Sequence, residues 1–247
     1  MSIFDIVLLF CAGFLSAVVN AIAGGGTFLT FGAMTLVGVP PIVANATSSV
    51  TQFPGYVTSA LAYRKEIREA GRDAWVLGGL SLLGSLAGAL ILVSMSNPSF
   101  RSLVPWLLLG ATIIFALGPY LRPKALPPEH PISKPGMVAQ FATSIYGGFF
   151  GAGMGIMMLA VLGLTKGGDY HKLNALKNFI AVIIASIAIV VFSTGGVVAW
   201  LPAVIMIPAG ALGGHFGVWA ARRVPQAVIR GVVVAVGLLL SWYYFTS

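Results

Sequence analysis

Charged side chains are scarce in this 247-residue chain: 14 Lys and Arg and 6 Asp and Glu make up 8% of it, against 58% hydrophobic residues. So little charge excludes a soluble globular domain, whose surface needs far more polar cover. Acidic residues are the fewest, and Asp5, Glu66, Glu69, Asp73, Glu129 and Asp169 all fall at segment ends or in loops. No carboxylate therefore stands mid-segment to bind Na⁺ or relay protons, as cation pumps require. A single cysteine, Cys11, excludes an internal disulfide, and three scattered histidines give no metal-ligand spacing. "GGGTFLT" (24 to 30) lacks the lysine of a phosphate loop, and no serine has a His and Asp on a shared face. The chain is expected to be no enzyme and to need no cofactor.

Long apolar runs are what the chain has. They cover residues 3 to 22, 28 to 38, 42 to 63, 74 to 95, 102 to 121, 136 to 150, 155 to 164, 172 to 194, 197 to 221 and 226 to 245. Most approach the roughly 20 residues that cross a bilayer as a helix, so the expected class is an all-α polytopic membrane protein. "MSIFD" carries no basic residue, so the first run reads as a retained helix and not a cleaved leader. Runs 28 to 38 and 155 to 164 are too short to span, and each follows a glycine cluster. The Pro-rich stretch "RPKALPPEHPISKP" (122 to 135) reads as a linker. It divides the chain into a first transmembrane repeat, 1–121, a cytoplasmic linker, 122–135, and a second repeat, 136–247.

Sliding the chain against itself by 129 residues aligns Gly24 and Gly26 with Gly153 and Gly155, "NATSS" from Asn45 with "NALKN" from Asn174, and Arg101 with Arg230. Gly84 and Gly88 fall on Gly213 and Gly217, the latter within overlapping GxxxG steps that read as tight helix packing. The formal charge of +8 is gathered at segment ends, at 64 to 72, 122 to 134, 166 to 177 and 222 to 230, leaving only Arg101 apart. That is the cytoplasmic loop pattern of a membrane protein, not a nucleic-acid footprint. All four clusters reach the cytoplasm if each half is a Gly-broken helical hairpin plus three helices, about eight segments counted as spans. The second half is then inverted relative to the first and both termini face outward. Eight simple spans are the competing topology.

Candidate site residues follow from the breaks. A discontinuous helix exposes N–H groups and the positive end of its dipole to an anion. Gly24, Gly25 and Gly26, with Thr27 and Asn20 beside them, form the first such site, although glycine also serves close packing. Asn45, Ser48, Ser49 and Gln52 line one helical face at i, i+3, i+4, i+7, continued by Tyr56 and Ser59, and Pro54–Gly55 offers a kink. Asn174, Lys177 and Asn178 form the repeat-related set, in which Lys177 either snorkels to the interface or meets an anion. His215 reads as a structural hydrogen-bonder or a proton switch.

Residues 12 to 67, "AGFLSAVVNAIAGGGTFLTFGAMTLVGVPPIVANATSSVTQFPGYVTSALAYRKEI", resemble the first half of the sulfite exporter TauE/SafE family. "YGGFFGAGMGIMM", "LNALKN" and "GALGGHFGVWAARRVP" resemble its second half, so the likeness covers nearly the whole chain. It implies a multi-pass inner-membrane permease for a small anion such as sulfite, sulfoacetate or a related sulfonate or carboxylate; alternating access is expected from rocking of the two inverted halves. The second break departs from the family's glycine run, since Met154 interrupts "GAGMG" and Tyr146 with Phe149 and Phe150 narrows it. Tyr146, Gly151 and Gly153 are the candidate site residues there. Lipid and a small anion are the expected partners, a coupling H⁺ or Na⁺ and a homodimer stay open, and nucleic acid is not expected. An anion channel or a non-transporting assembly protein are the alternative functions.

Overall fold

In the computed structural model, which describes residues 1–22, 25–121, 129–220 and 226–246, the chain forms eleven helices and, among those residues, no strand. They are α1 (Ile3–Ile22), α2 (Thr27–Leu36), α3 (Pro41–Ala62), α4 (Arg64–Glu69), α5 (Gly71–Ser94), α6 (Asn97–Leu121), α7 (Lys134–Phe149), α8 (Met154–Thr165), α9 (Tyr170–Thr194), α10 (Trp200–Ala220) and α11 (Gln226–Thr246). Gly24, Arg122, Lys124, Arg222, Arg223 and the side chain of His215 lie outside the described residues. Four described segments are long and apolar enough to cross a membrane: Ile3–Ala21, Gly71–Ser94, Asn97–Leu117 and Tyr170–Thr194.

Polarity runs inside out. Phe4, Trp75, Leu201, Leu239 and Trp242 are exposed, while Asn45, Ser48, Gln52, Gln140, Lys177 and Asn178 are buried. In lipid that arrangement leaves apolar groups in an apolar solvent and gives polar groups protein neighbours, which makes this a polytopic membrane protein.

Both glycine clusters interrupt helices. At the first, α1 ends at Ile22 and α2 starts at Thr27; the Gly26 backbone lies so close to the Ser16 carbonyl that a Cβ would overlap it, so α2 folds back along α1. At the second, Gly151 and Gly153 take φ of 74° and 77°, the left-handed turn that lets α8 leave α7. Gly136, in the first turn of α7, sits against the Thr165 side chain at the end of α8, so this hairpin opens and closes on one side. The short runs are therefore half-length helices, as their lengths imply.

Packing follows the small residues. α5 lies on α7 through Gly84 and Gly88, which face the backbone of Phe141, Ile145 and Phe149; α10 lies on α1 through Gly213 and Gly217, which face Phe14 and Val18. Lipid gives no hydrophobic drive between helices, so such close backbone approach and its dispersion contacts supply the adhesion. Ser81 of α5, with Gln140 and Ser144 of α7, adds a buried hydrogen-bonded cluster at 2.9 to 3.2 Å that the sequence reading did not single out. Phe28, Phe31, Phe100, Phe115, Phe150 and Phe192 fill the larger apolar core.

One face is ionic. Lys166, at the end of α8, is buried and pairs with Asp73 of α5 at 2.6 Å and with Glu129 at 3.5 Å; Lys172 of α9 reaches Glu129 at 3.2 Å and Glu69 of α4 at 3.6 Å. A hydrogen bond from Lys172 holds the Glu129 carboxyl below the usual carboxylate range, with attraction to Lys166 adding to it and partial desolvation opposing.

Candidate functional site

The first break is organised by Asn20, on the last turn of α1. Its Oδ1 accepts hydrogen bonds from the N–H of Gly25 (2.8 Å) and of Gly26 (3.0 Å). Its Nδ2 donates to Gln52 Oε1 and, at 3.4 Å, to the Tyr56 hydroxyl, both on α3. Gln52 Nε2 in turn donates to Ser16 Oγ, one turn back along α1. The amides expected to stand open are thus capped by a neutral side-chain oxygen. The reason is chemical: a carboxamide can accept from two amides while donating elsewhere, so the Gly25 and Gly26 N–H groups are satisfied without a ligand. Gly25 has φ of 149° and packs its backbone against the Phe115 ring of α6, so no other residue fits there without displacement.

A small cavity adjoins this cap. Thr27 of α2, Ser49, Gln52 and Tyr56 of α3, Gly147 of α7, Gly151, and Ile184 and Ala188 of α9 are among its walls. Its volume of about 20 Å³ has room for about one water molecule and none for a larger solute. Both broken hairpins and both central helices contribute, so the two breaks meet across one space. Tyr146 stands behind the second break and donates its hydroxyl to the Ala152 carbonyl at 2.7 Å, pinning the turn.

The other candidates lie further along the same two helices. Asn45 Nδ2 donates to the Phe149 carbonyl at 2.8 Å, and Asn174 Nδ2 to the Tyr63 hydroxyl at 3.4 Å, each crossing to the other half of the chain. Asn45 Oδ1, Ser48 Oγ and Asn178 Nδ2 are buried and lack a hydrogen-bond partner. Lys177 is buried on α9, eight residues and roughly 12 Å along the helix from Ala185 of the cavity wall. Lys177, Asn174, Asn178, Asn45 and Ser48 therefore lie outside the cavity lining, while Thr27, Ser49, Gln52 and Gly151 belong to it. Gly153 faces Ala111 of α6. Pro54 sits within an unbroken α3. Ser16 was missed, although it shares a helical face with Asn20 at i+4 spacing, and Gly147 carried no distinguishing pattern.

A polar, twice-interrupted centre enclosed by lipid-facing helices defines the class: a membrane protein built around an interior polar site. The chain belongs to the sulfite exporter TauE/SafE family, whose model matches residues 9–244. Among its relatives is a "Probable membrane transporter protein" of Haemophilus influenzae, 27% identical over 249 residues that cover 96% of each chain. "Probable membrane transporter protein YfcA" of Escherichia coli is 25% identical over 95% of this chain and 87% of its own. "Probable membrane transporter protein ORF9" of a Sinorhizobium species is 24% identical over 94% and 89%.

Proposed function

We propose that this protein is a secondary transporter of a small anion, of the sulfite, sulfonate or short carboxylate class, in the cell's inner membrane. The observation that carries the reading is the convergence of the Gly25 and Gly26 amides on one oxygen atom, Asn20 Oδ1; these three residues lie outside the cavity lining, but Asn20's partners Gln52 and Tyr56 belong to it. Two N–H donors aimed at one point suit an anionic oxygen better than a neutral one, since charge-assisted bonds are about twice as strong. An incoming anion replaces Asn20 Oδ1, and the freed carboxamide turns with Gln52 and Tyr56 towards the solute. Family membership and the names of the relatives support transport.

The cavity is too small for such an anion, so the conformation described is the closed one between two openings. The ion pairs from Lys166 and Lys172 close the basic, cytoplasmic face. Reciprocal helix pairing supports two inverted repeats, 1–121 and 136–247. Exchanging α1 with α7, α2 with α8, α3 with α9, α5 with α10 and α6 with α11 turns the α1–α10 contact into α7–α5, and α3–α10 into α9–α5. The α3–α9 and α6–α11 contacts map onto themselves. Rocking of such halves exposes the centre alternately. Lys177 and the unpartnered Asn45, Ser48 and Asn178 atoms line the route.

Flux of labelled sulfite and of sulfonates into proteoliposomes tests this. Saturable flux is expected, reduced at least about tenfold by Lys177→Ala and abolished by Gly25→Leu, with both variants still inserted in the membrane. Non-saturating conductance would indicate a channel. Unchanged flux in both variants would remove the site.

A further inference from the structure

Arg101 is the one basic residue outside the four cytoplasmic clusters, and it stands in the first turns of α6, at the end opposite the basic linker. There it lines a pocket of about 160 Å³ with Thr35, Tyr243 and Tyr244. Thr35 Oγ1 and the Tyr244 hydroxyl are hydrogen-bonded at 3.0 Å, which fixes the end of α2 to the last turn of α11. Thr35 and Tyr243 also belong to a second space, an almost wholly apolar groove of about 460 Å³ between α1, α2 and α11. The groove runs past Leu36 and Cys11 to Leu15 and Leu29, towards the middle of α1 and the first turn of α2. Trp106 and Trp242 stand exposed on α6 and α11 near the same face, the residue types that collect at headgroup depth. One continuous site is thus apolar along most of its length and, at one end, carries a guanidinium and hydroxyls.

We propose that this groove and pocket together seat one anionic glycerophospholipid on the face opposite the basic clusters, its acyl chain along Leu15, Leu29 and Leu36 and its phosphate against Arg101. A guanidinium matches the paired oxygens of a phosphate diester with two parallel donors, and the hydroxyl of Tyr243, in the same pocket lining, adds a further donor. Bulk lipid would coat the groove in any case; the cation at its mouth is what selects headgroup charge. The groove's volume lies within the range of small-molecule sites, about 300–1,000 Å³. The repeat supplies an internal contrast. At a spacing of 129, Arg101 maps to Arg230, but Thr35, Tyr243 and Tyr244 map to Leu164, Ile114 and Phe115. The hydroxyl-bearing seat therefore belongs to one face only.

Native mass spectrometry of the delipidated full-length protein, titrated with dioleoyl phosphatidylglycerol, dioleoyl phosphatidylcholine or inorganic phosphate, is the test. One phosphatidylglycerol is expected to stay bound at concentrations where phosphatidylcholine does not. Arg101→Gln should weaken its retention at least tenfold, and Cys11→Trp, which fills the apolar groove while leaving Arg101 in place, should weaken it too. Arg101→Lys should restore part of the loss. Equal retention of both lipids, unchanged retention in Arg101→Gln, or displacement of the lipid by millimolar phosphate alone would overturn the assignment.

Discussion

A single carboxamide joins three elements: Asn20 closes the break after α1, steadies the start of α2 and ties both to α3. Asn20→Ala leaves the Gly25 and Gly26 amides without their acceptor, a cost of about 1–3 kcal/mol for each buried donor. Unfolding in detergent should show a clear drop in midpoint; an unchanged midpoint would mean that the amides find another partner. Asparagine beside a glycine run was legible in the sequence as part of a polar centre. Its direction was not, because the chain reversal that brings Gly25 back to it is a tertiary event. The same limit hid Ser16, whose partner Gln52 lies 36 residues away. The i, i+3, i+4, i+7 spacing of Asn45, Ser48, Ser49 and Gln52 marked residues that are buried, or half-buried in the case of Ser49, yet of the four only Ser49 and Gln52 reach the cavity.

Helices in this protein are held by what their small residues permit. Gly88 packs directly on Ile145 and Phe149, whereas Gly110 of α6 has nothing within 4 Å of where a Cβ would stand. Gly88→Ala should destabilise by about 1–3 kcal/mol through overpacking. Gly110→Ala should be neutral or stabilising by up to about 1 kcal/mol, through helix propensity alone. Denaturant titration of both variants checks the pair, and equal effects would remove the close-packing account. Element boundaries were legible wherever Gly and Pro punctuate apolar runs, as at the starts of α3 and α8. α4 was not foreseen: "RKEIRE" has a single apolar residue, Ile67, among its charges and so carries no apolar period.

Across the described residues, the ion pairs of Lys166 and Lys172 gather at one end of a bundle whose exposed flanks are apolar. Asp73→Asn removes the short bond to buried Lys166 and should cost about 1.5–3 kcal/mol, the usual value for a charged hydrogen bond, read from the unfolding midpoint. Glu129 is held below its usual value of 4.5, chiefly by the hydrogen bond from Lys172. Its folded-state value lies under its unfolded one, so its contribution is complete above about pH 4.5 and fades as pH falls through the folded value. Its side chain is 40% exposed, so solvent screening keeps the effect small. Glu129→Gln should therefore lower stability slightly at neutral pH and flatten the acid limb, the difference from wild type shrinking as pH falls below about 4.5; an unaltered profile would mean that the pair adds nothing. The clustering of basic residues was legible in the sequence, but the pairing of Lys166 with Asp73, 93 residues earlier, depends on α5 and the end of α8 meeting.

The account rests on an anion taking the place of Asn20 Oδ1 at the Gly25 and Gly26 amides. Asn20→Asp tests this most directly, because a carboxyl group keeps the acceptor for the two amides and fills the anion's position, while giving up the Nδ2 donations to Gln52 and Tyr56. Thermal unfolding of wild type and variant, with and without sulfite or a short sulfonate, reads it. A ligand at 100 times its Kd stabilises by about 2.7 kcal/mol. The wild type's midpoint should rise with the anion, and that of Asn20→Asp, whatever its anion-free value, should not respond. An equal anion-dependent rise in Asn20→Asp would contradict the account.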